Sequence, residues 1–193
     1  CISIQRIFVH KDIYGVFLDR FSGEVKNLRP GDPMDESTNI GPMIDEGAAV
    51  RTEEWVKEAV DGGAKVLIGG KRKGSFFEPT VLTEAKPGMK VCREEVFAPV
   101  VTLDSYERFE DAVASVNDSI FGLQAGVFTR DIRNILHAHS ELQVGGVIVN
   151  DIPTYRIDHM PYGGVKMSGF GREGVKYAIG EMTEIKLLVL NQP

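Results

Sequence analysis

Through the middle of the chain, short β-rich runs alternate with segments whose apolar residues recur every three to four positions. This order restricts the fold more than any other feature. Phe76 to Thr83 and Ala98 to Leu103 read as extended, and Phe109, Ala112, Val113 and Val116 mark a helix after them. Ala125 to Thr129 reads as a strand, Ile132, Ile135, Leu136 and Leu142 share a helix, and Gly146-Val147-Ile148-Val149-Asn150 is a buried-type strand rich in β-branched residues. A strand apolar on both faces needs helical cover on each side. The alternation therefore predicts an α/β fold with a largely parallel, twisted sheet flanked by helices.

The flanks fit around that centre. Asp12 is a candidate N-cap for a helix carrying Ile13, Val16, Phe17, Phe21 and Val25, which stops before Arg29-Pro30-Gly31. Residues 31–45 hold two prolines, Pro33 and Pro42, and read as a connecting loop. A second helix, with Ala49, Val56, Ala59 and Val60 on one face, ends at Gly62-Gly63 before a short strand, Lys65 to Ile68. The last stretch, Glu184 to Asn191, reads as an extended strand with no helix after it. Such a strand needs a partner, which at a terminus is often another subunit. The expected organisation is one catalytic-type domain over 1–182 and an oligomerisation strand over 183–193.

Composition excludes several classes. A formal net charge of -6, with lysines and arginines scattered among acids, offers no basic face for nucleic acid. Two cysteines far apart have neither metal-ligand spacing nor a disulfide framework, so no metal site is expected and a reducing cytoplasm is the default. No apolar run approaches the roughly 20 residues of a membrane span, and no signal peptide is legible at the start.

Three places could carry chemistry. Cys1 could be a reactive thiol, which would call for an environment that stabilises thiolate, commonly a helix N-terminus. Glu95 and Phe97 would point to one side of an extended backbone, an arrangement suited to a ribose and the ring beside it, or simply an exposed acid and a core aromatic. The run from Pro161 to Glu173 is glycine-rich without the order of a phosphate loop. It reads best as a loop packing closely against a site wall, with Pro161 and Tyr162 toward a pocket. His10, His137 and His139 read as surface or packing residues, Cys92 as an inert buried thiol. Lys166 is either a solvated charge or an approach to an anion.

Taken together, separated runs resemble one family in the right order. Cys1-Ile2-Ser3-Ile4-Gln5-Arg6, Glu95-Val96-Phe97-Ala98-Pro99, Asn117 to Gly122 with Val127-Phe128-Thr129, Gly146 to Asn150, and Pro161 to Arg172 are similar to signatures of the NAD(P)-dependent aldehyde dehydrogenases, C-terminal part. The resemblance covers all 193 residues. It implies that Cys1 is the nucleophile, forming a thiohemiacetal and then a thioester, and that Glu95 and Phe97 contact the nicotinamide ribose of NAD or NADP. It places the oxyanion-hole asparagine, the deacylating glutamate and the Rossmann cofactor domain upstream of Cys1, so the 193 residues alone are expected to be inactive.

Ile2, Arg156, His159 and Tyr162 are the substrate-side candidates. Arg156 and His159 could grip an anionic group, and the implied substrate is a small polar or anionic aldehyde of the lactaldehyde, succinate semialdehyde or phosphonoacetaldehyde type. Arg156 could equally pair with Asp151 or Asp158. The implied partners are a small-molecule aldehyde and further copies of the chain, as a homodimer or homotetramer. Two other readings stay open: a free-standing, non-catalytic oligomerisation domain, and a cofactor-independent thiol hydrolase using Cys1.

Overall fold

The computed structural model describes residues 1–192, which divide into two compact units: Cys1 with residues 3–119, and Ile2 with the residues from Ile120 onward. The first unit contains β1 (Arg6–His10), α1 (Lys11–Asn27), α2 (Glu46–Asp61), β2 (Lys65–Ile68), β3 (Arg72–Lys73), β4 (Phe76–Phe77), β5 (Thr80–Thr83), α3 (Lys90–Arg93), β6 (Val100–Tyr106) and α4 (Phe109–Asn117). Its sheet has the order β1-β6-β5-β2. β1 and β5 run parallel to β6, while β2 pairs antiparallel to β5 along an edge.

Alternation along β5 explains why the sheet is covered twice. Val81 and Leu82 are 1% and 0% exposed and point to opposite faces. On one side Val81 joins Val9 and Leu103 beneath Tyr14, Phe17, Leu18, Phe21 and Val25 of α1. On the other, Leu82 packs with Phe77, Val91, Val96 and Val100 beneath Val56 and Ala59 of α2.

The apolar stripe of α1 is thus rotated from the expected one. Ile13 and Val16 lie exposed, as does Val60 of α2. The cap of α1 is His10, whose Nδ1 accepts from the Asp12 N–H, so Asp12 belongs to the first turn instead. Capping by histidine has no strong sequence signature. The expected run from Phe76 to Thr83 is two strands separated by Glu78-Pro79, because proline donates no hydrogen bond to a ladder.

The second unit contains β7 (Phe121–Gly122), β8 (Gln124–Val127), α5 (Ile132–Glu141), β9 (Gly146–Val149), β10 (Val165–Lys166) and α6 (Val175–Glu181). β8 and β9 are parallel, and β7 and β10 antiparallel. The expected fully buried β9 is half-buried. Gly145 admits no side chain: a Cβ there would come within 1.6 Å of the Gly163 carbonyl oxygen.

Residues 184–192 pair with no strand among the described residues. Ile185, Leu187, Leu188, Val189 and Leu190 are between 68% and 101% exposed. No helix among the described residues is long and apolar enough to cross a membrane.

Candidate active site

Cys1 is exposed and begins no helix, contrary to the helix N-terminus expected for a reactive thiol. It stands at the head of a non-regular segment that becomes β1 at Arg6. The next side chains anchor that segment. Arg6 donates from Nη2 to the Ser115 carbonyl at 2.9 Å and from Nη1 to that of Asp118 at 3.3 Å, and lies 5.0 Å over the Phe8 ring. A cation at the last carbonyls of α4 meets the negative end of the helix dipole.

Gln5 reaches a different loop. Its Nε2 donates to the carbonyls of Val91 and Glu94 at 3.0 and 2.7 Å, and its Oε1 accepts from the Val96 N–H at 3.0 Å. These bonds hold the loop after α3, which carries Glu95 and Phe97. The expected extended run there is a loop, and Phe97 has a φ of +54°, a left-handed conformation that costs a non-glycine residue on the order of 1–3 kcal/mol. The same-side geometry of an extended strand does not apply. Both side chains nevertheless face solvent, Phe97 at 64% exposure, while Val96 between them is 1% exposed. Arg51 secures the loop from behind, its Nη2 donating to the Val96 carbonyl at 3.0 Å.

In the second unit Arg156 pairs with neither Asp151 nor Asp158. Its Nη2 donates to Glu173 Oε2 at 2.7 Å and its guanidinium carbon lies 4.2 Å from the centroid of the Tyr162 ring. Tyr162 and Glu173 exchange backbone hydrogen bonds of 3.1 and 2.6 Å as an isolated antiparallel bridge. Platform and counter-ion are therefore one unit. Tyr162 is buried at 8% exposure, and that burial pushes its phenol pKa up, with Arg156 opposing and Glu173 reinforcing the shift. His159 is exposed, and Lys166 is exposed in β10.

The glycine-rich run closes on itself. Arg172 Nη1 donates to the carbonyls of Gly164 and Gly171 at 3.0 and 2.7 Å, and the Ser168 hydroxyl accepts from the Gly122 N–H at 2.9 Å. At Gly174, with a φ of +112°, a Cβ would meet the Met160 carbonyl oxygen at 2.7 Å. Gly163, Gly164 and Gly174 thus allow close packing, with a Cβ at each meeting a neighbour at 2.7, 2.4 and 2.7 Å, whereas Gly169 has open space around it.

Cys92 is buried in α3. Burial pushes its thiol pKa up, Asp104 adds to the shift, and the Arg6 guanidinium opposes it. Asp104 is likewise raised by burial against the pull of Arg6. Both line a cavity of about 390 Å³ with Arg6 and Tyr106. Among the described residues no group of three or more His, Cys, Asp or Glu could hold a metal ion.

The units hold different parts of the expected site. Cys1, Glu95 and Phe97 belong to the first, and Ile2, Arg156, His159 and Tyr162 to the second. Sequence reasoning missed Gln5 and Glu173. The partners of the Gln5 amide are distant backbone groups, which leave no sign in sequence.

Comparison with known proteins bears on the whole arrangement. Residues 1–188 match the Aldehyde dehydrogenase family. The chain is 55% identical over 191 residues to 3-sulfolactaldehyde dehydrogenase of Priestia megaterium, covering 99% of this chain and 40% of that protein. It is 41% identical over 191 residues to lactaldehyde dehydrogenase of Methanococcus aeolicus, covering 99% and 41%. Aldehyde dehydrogenase 21 from Physcomitrella patens, solved in complex with the reaction product succinate, superposes with a TM-score of 0.97 at 48% identity, covering 98% of this chain and 40% of that one. Glyceraldehyde-3-phosphate dehydrogenase GapN from Methanocaldococcus jannaschii, complexed with NADP, gives 0.93 at 41% identity, covering 96% and 40%. The chain thus spans about 40% of the length of these relatives. With its signature runs in order and its fold superposing on solved members, this chain belongs to the aldehyde dehydrogenase family.

Proposed function

We propose that these residues supply the nucleophile and part of the substrate and cofactor contacts of an NAD(P)-dependent dehydrogenase for a small anionic aldehyde. The observation that carries the substrate class is Arg156, whose guanidinium is held on a buried aromatic ring and fixed by one carboxylate. A planar, preoriented cation suits a carboxylate, sulfonate or phosphate on a short aldehyde. Relatives named for 3-sulfolactaldehyde, sulfoacetaldehyde and aspartate semialdehyde support that class.

In this reading the Cys1 thiolate adds to the aldehyde carbon, forming a C–S bond and a thiohemiacetal oxyanion. The chemistry that bound NAD(P) supplies is acceptance of the hydride whose departure turns the thiohemiacetal into a thioester. Water then cleaves the thioester, releasing the acid and restoring the thiol. Glu95 and Phe97 fit the nicotinamide ribose: an exposed carboxylate to accept from the hydroxyls, and an exposed ring to flank the sugar, on either side of a buried Val96. Ile2, His159 and Tyr162 line the aldehyde side.

The oxyanion-hole asparagine and the deacylating base lie, by the family resemblance, before the nucleophile. The 193-residue polypeptide by itself is therefore expected to give no NAD(P)-dependent turnover. The exposed apolar segment at 184–192 supports a further copy of the chain as partner, in a homodimer or homotetramer. Two free thiols suit a reducing compartment such as the cytoplasm.

The test is substrate profiling of a polypeptide of the relatives' full length, with 3-sulfolactaldehyde, succinate semialdehyde and lactaldehyde, in the presence of NAD or NADP. The expected kcat/KM favours the anionic aldehydes at least tenfold. A preference for the neutral one removes the anion assignment, and no turnover of any removes the dehydrogenase.

A further inference from the structure

Gln5 lies four residues after Cys1, immediately before β1, and each of its three side-chain hydrogen bonds runs to backbone more than 80 positions away. A primary amide donates twice and accepts from one planar head, and the partly buried setting reduces competition from water. The residue it holds most directly, Val96, has its N–H bonded to Gln5, its carbonyl bonded to Arg51, and its side chain in the core. Val96 separates Glu95 from Phe97, and Phe97 keeps a left-handed backbone only while the surrounding structure imposes it.

We propose that Gln5 is a positioning residue: it locks the Glu94–Phe97 loop in the conformation that presents Glu95 and Phe97, and ties that loop to the segment directly behind the nucleophile. One side chain thereby sets the registration of cofactor-side contacts against Cys1. The role rests on the reading of Glu95 and Phe97 as nicotinamide-ribose contacts. A space-filling Gln5 would be replaceable by methionine, which has similar length and no amide.

The experiment uses the full-length protein and measures NAD(P) affinity by calorimetry, together with amide hydrogen exchange. Gln5→Met is expected to raise the Kd for NAD(P) five- to twentyfold and to accelerate exchange of the Val96 amide at least tenfold, with the Leu82 amide in the central sheet unchanged. Because Gln5 acts through the loop, Gln5→Met added to a Glu95→Ala/Phe97→Ala variant should bind within twofold of that variant alone. Losses that multiply overturn the role, as does Val96 exchange unaltered by Gln5→Met. Wild-type Kd values in both Glu95→Ala and Phe97→Ala overturn the ribose reading. Raised values there with a wild-type Kd in Gln5→Met overturn the positioning role alone. Should Gln5→Met fail to fold, Gln5→Leu, which likewise removes both the donors and the acceptor for Val96, carries the same expectations.

Discussion

Arg156 and Glu173 are joined by a 2.7 Å charge-assisted hydrogen bond, and the strand-like bridge between Glu173 and Tyr162 fixes the carboxylate beside the ring on which the guanidinium stacks. An exposed ion pair of this kind adds little stability, typically under about 1 kcal/mol. Its consequence is orientation. A guanidinium that loses less side-chain freedom on binding an anion retains more of the interaction as affinity. Arg156→Ala in the full-length enzyme should raise KM for an anionic aldehyde by roughly 10- to 100-fold, the range given by about 1.5–3 kcal/mol for hydrogen bonds to a charged group. The KM for a neutral aldehyde should change less than threefold, and Arg156→Lys, which keeps charge and loses the planar fork, should fall between. Equal KM changes for the two substrates would retire the anion contact.

The two cysteines should differ sharply in reactivity. Cys1 is exposed, whereas Cys92 is buried and its pKa is raised by that burial, so it stays a neutral thiol at pH values where an exposed cysteine begins to ionise. Iodoacetamide at pH 8 should alkylate Cys1 in the native protein and reach Cys92 only after denaturant is added, as read by peptide mass spectrometry. Linkage gives a second readout. The folded state holds the Cys92 proton more tightly than the unfolded state, so this contribution is complete below the unfolded pKa near 8.5 and is lost as pH rises toward the folded value. Cys92→Ala should flatten the fall of Tm above about pH 8.5, and an unchanged slope would mean that Cys92 ionises alike in both states.

What the sequence made legible follows from how local each signal is. The strand Lys65–Ile68 and the helix before it were readable because a glycine pair and an apolar period lie within a few residues of one another. The ion pair of Arg156 was not. Asp151 and Asp158 are its acidic neighbours in sequence, while Glu173 reaches it only because Tyr162 and Glu173 pair across a glycine-rich loop. Gln5 was illegible for the same reason, since backbone carbonyls give no pattern in sequence. Phe97 defied the extended reading because its left-handed φ is imposed by neighbours, not by its own preference.

Gly145 offers a test of the close packing that the glycines permit. A methyl group there would overlap the Gly163 carbonyl oxygen at 1.6 Å, and the contact atom is backbone, which cannot rotate aside. Gly145→Ala should therefore lower stability by about 3 kcal/mol or more, beyond the usual range for single substitutions at unstrained sites. Gly180→Ala is the control, because nothing lies within 4 Å of a Cβ at that position. A denaturant midpoint for Gly145→Ala equal to that of Gly180→Ala would show that the loop carrying Gly163 yields freely.

The C-terminal segment raises the question of what covers it. Leu187, Leu188 and Leu190 are 77% to 83% exposed in a stretch whose backbone groups meet no strand, and unpaired extended backbone with large apolar side chains is an edge that seeks a partner. If a second copy supplies that partner, Leu188→Asp in the full-length protein should move its sedimentation from oligomer toward monomer at micromolar concentration, since a carboxylate left in an apolar interface carries a desolvation cost of several kcal/mol. Deleting the segment from residue 184 onward should do the same while leaving the far-ultraviolet spectrum nearly unchanged, because residues 184–192 contribute no helix or ladder. An oligomer that survives both changes would mean that the segment is covered by another part of its own polypeptide, and assembly would then have to be sought on a different surface.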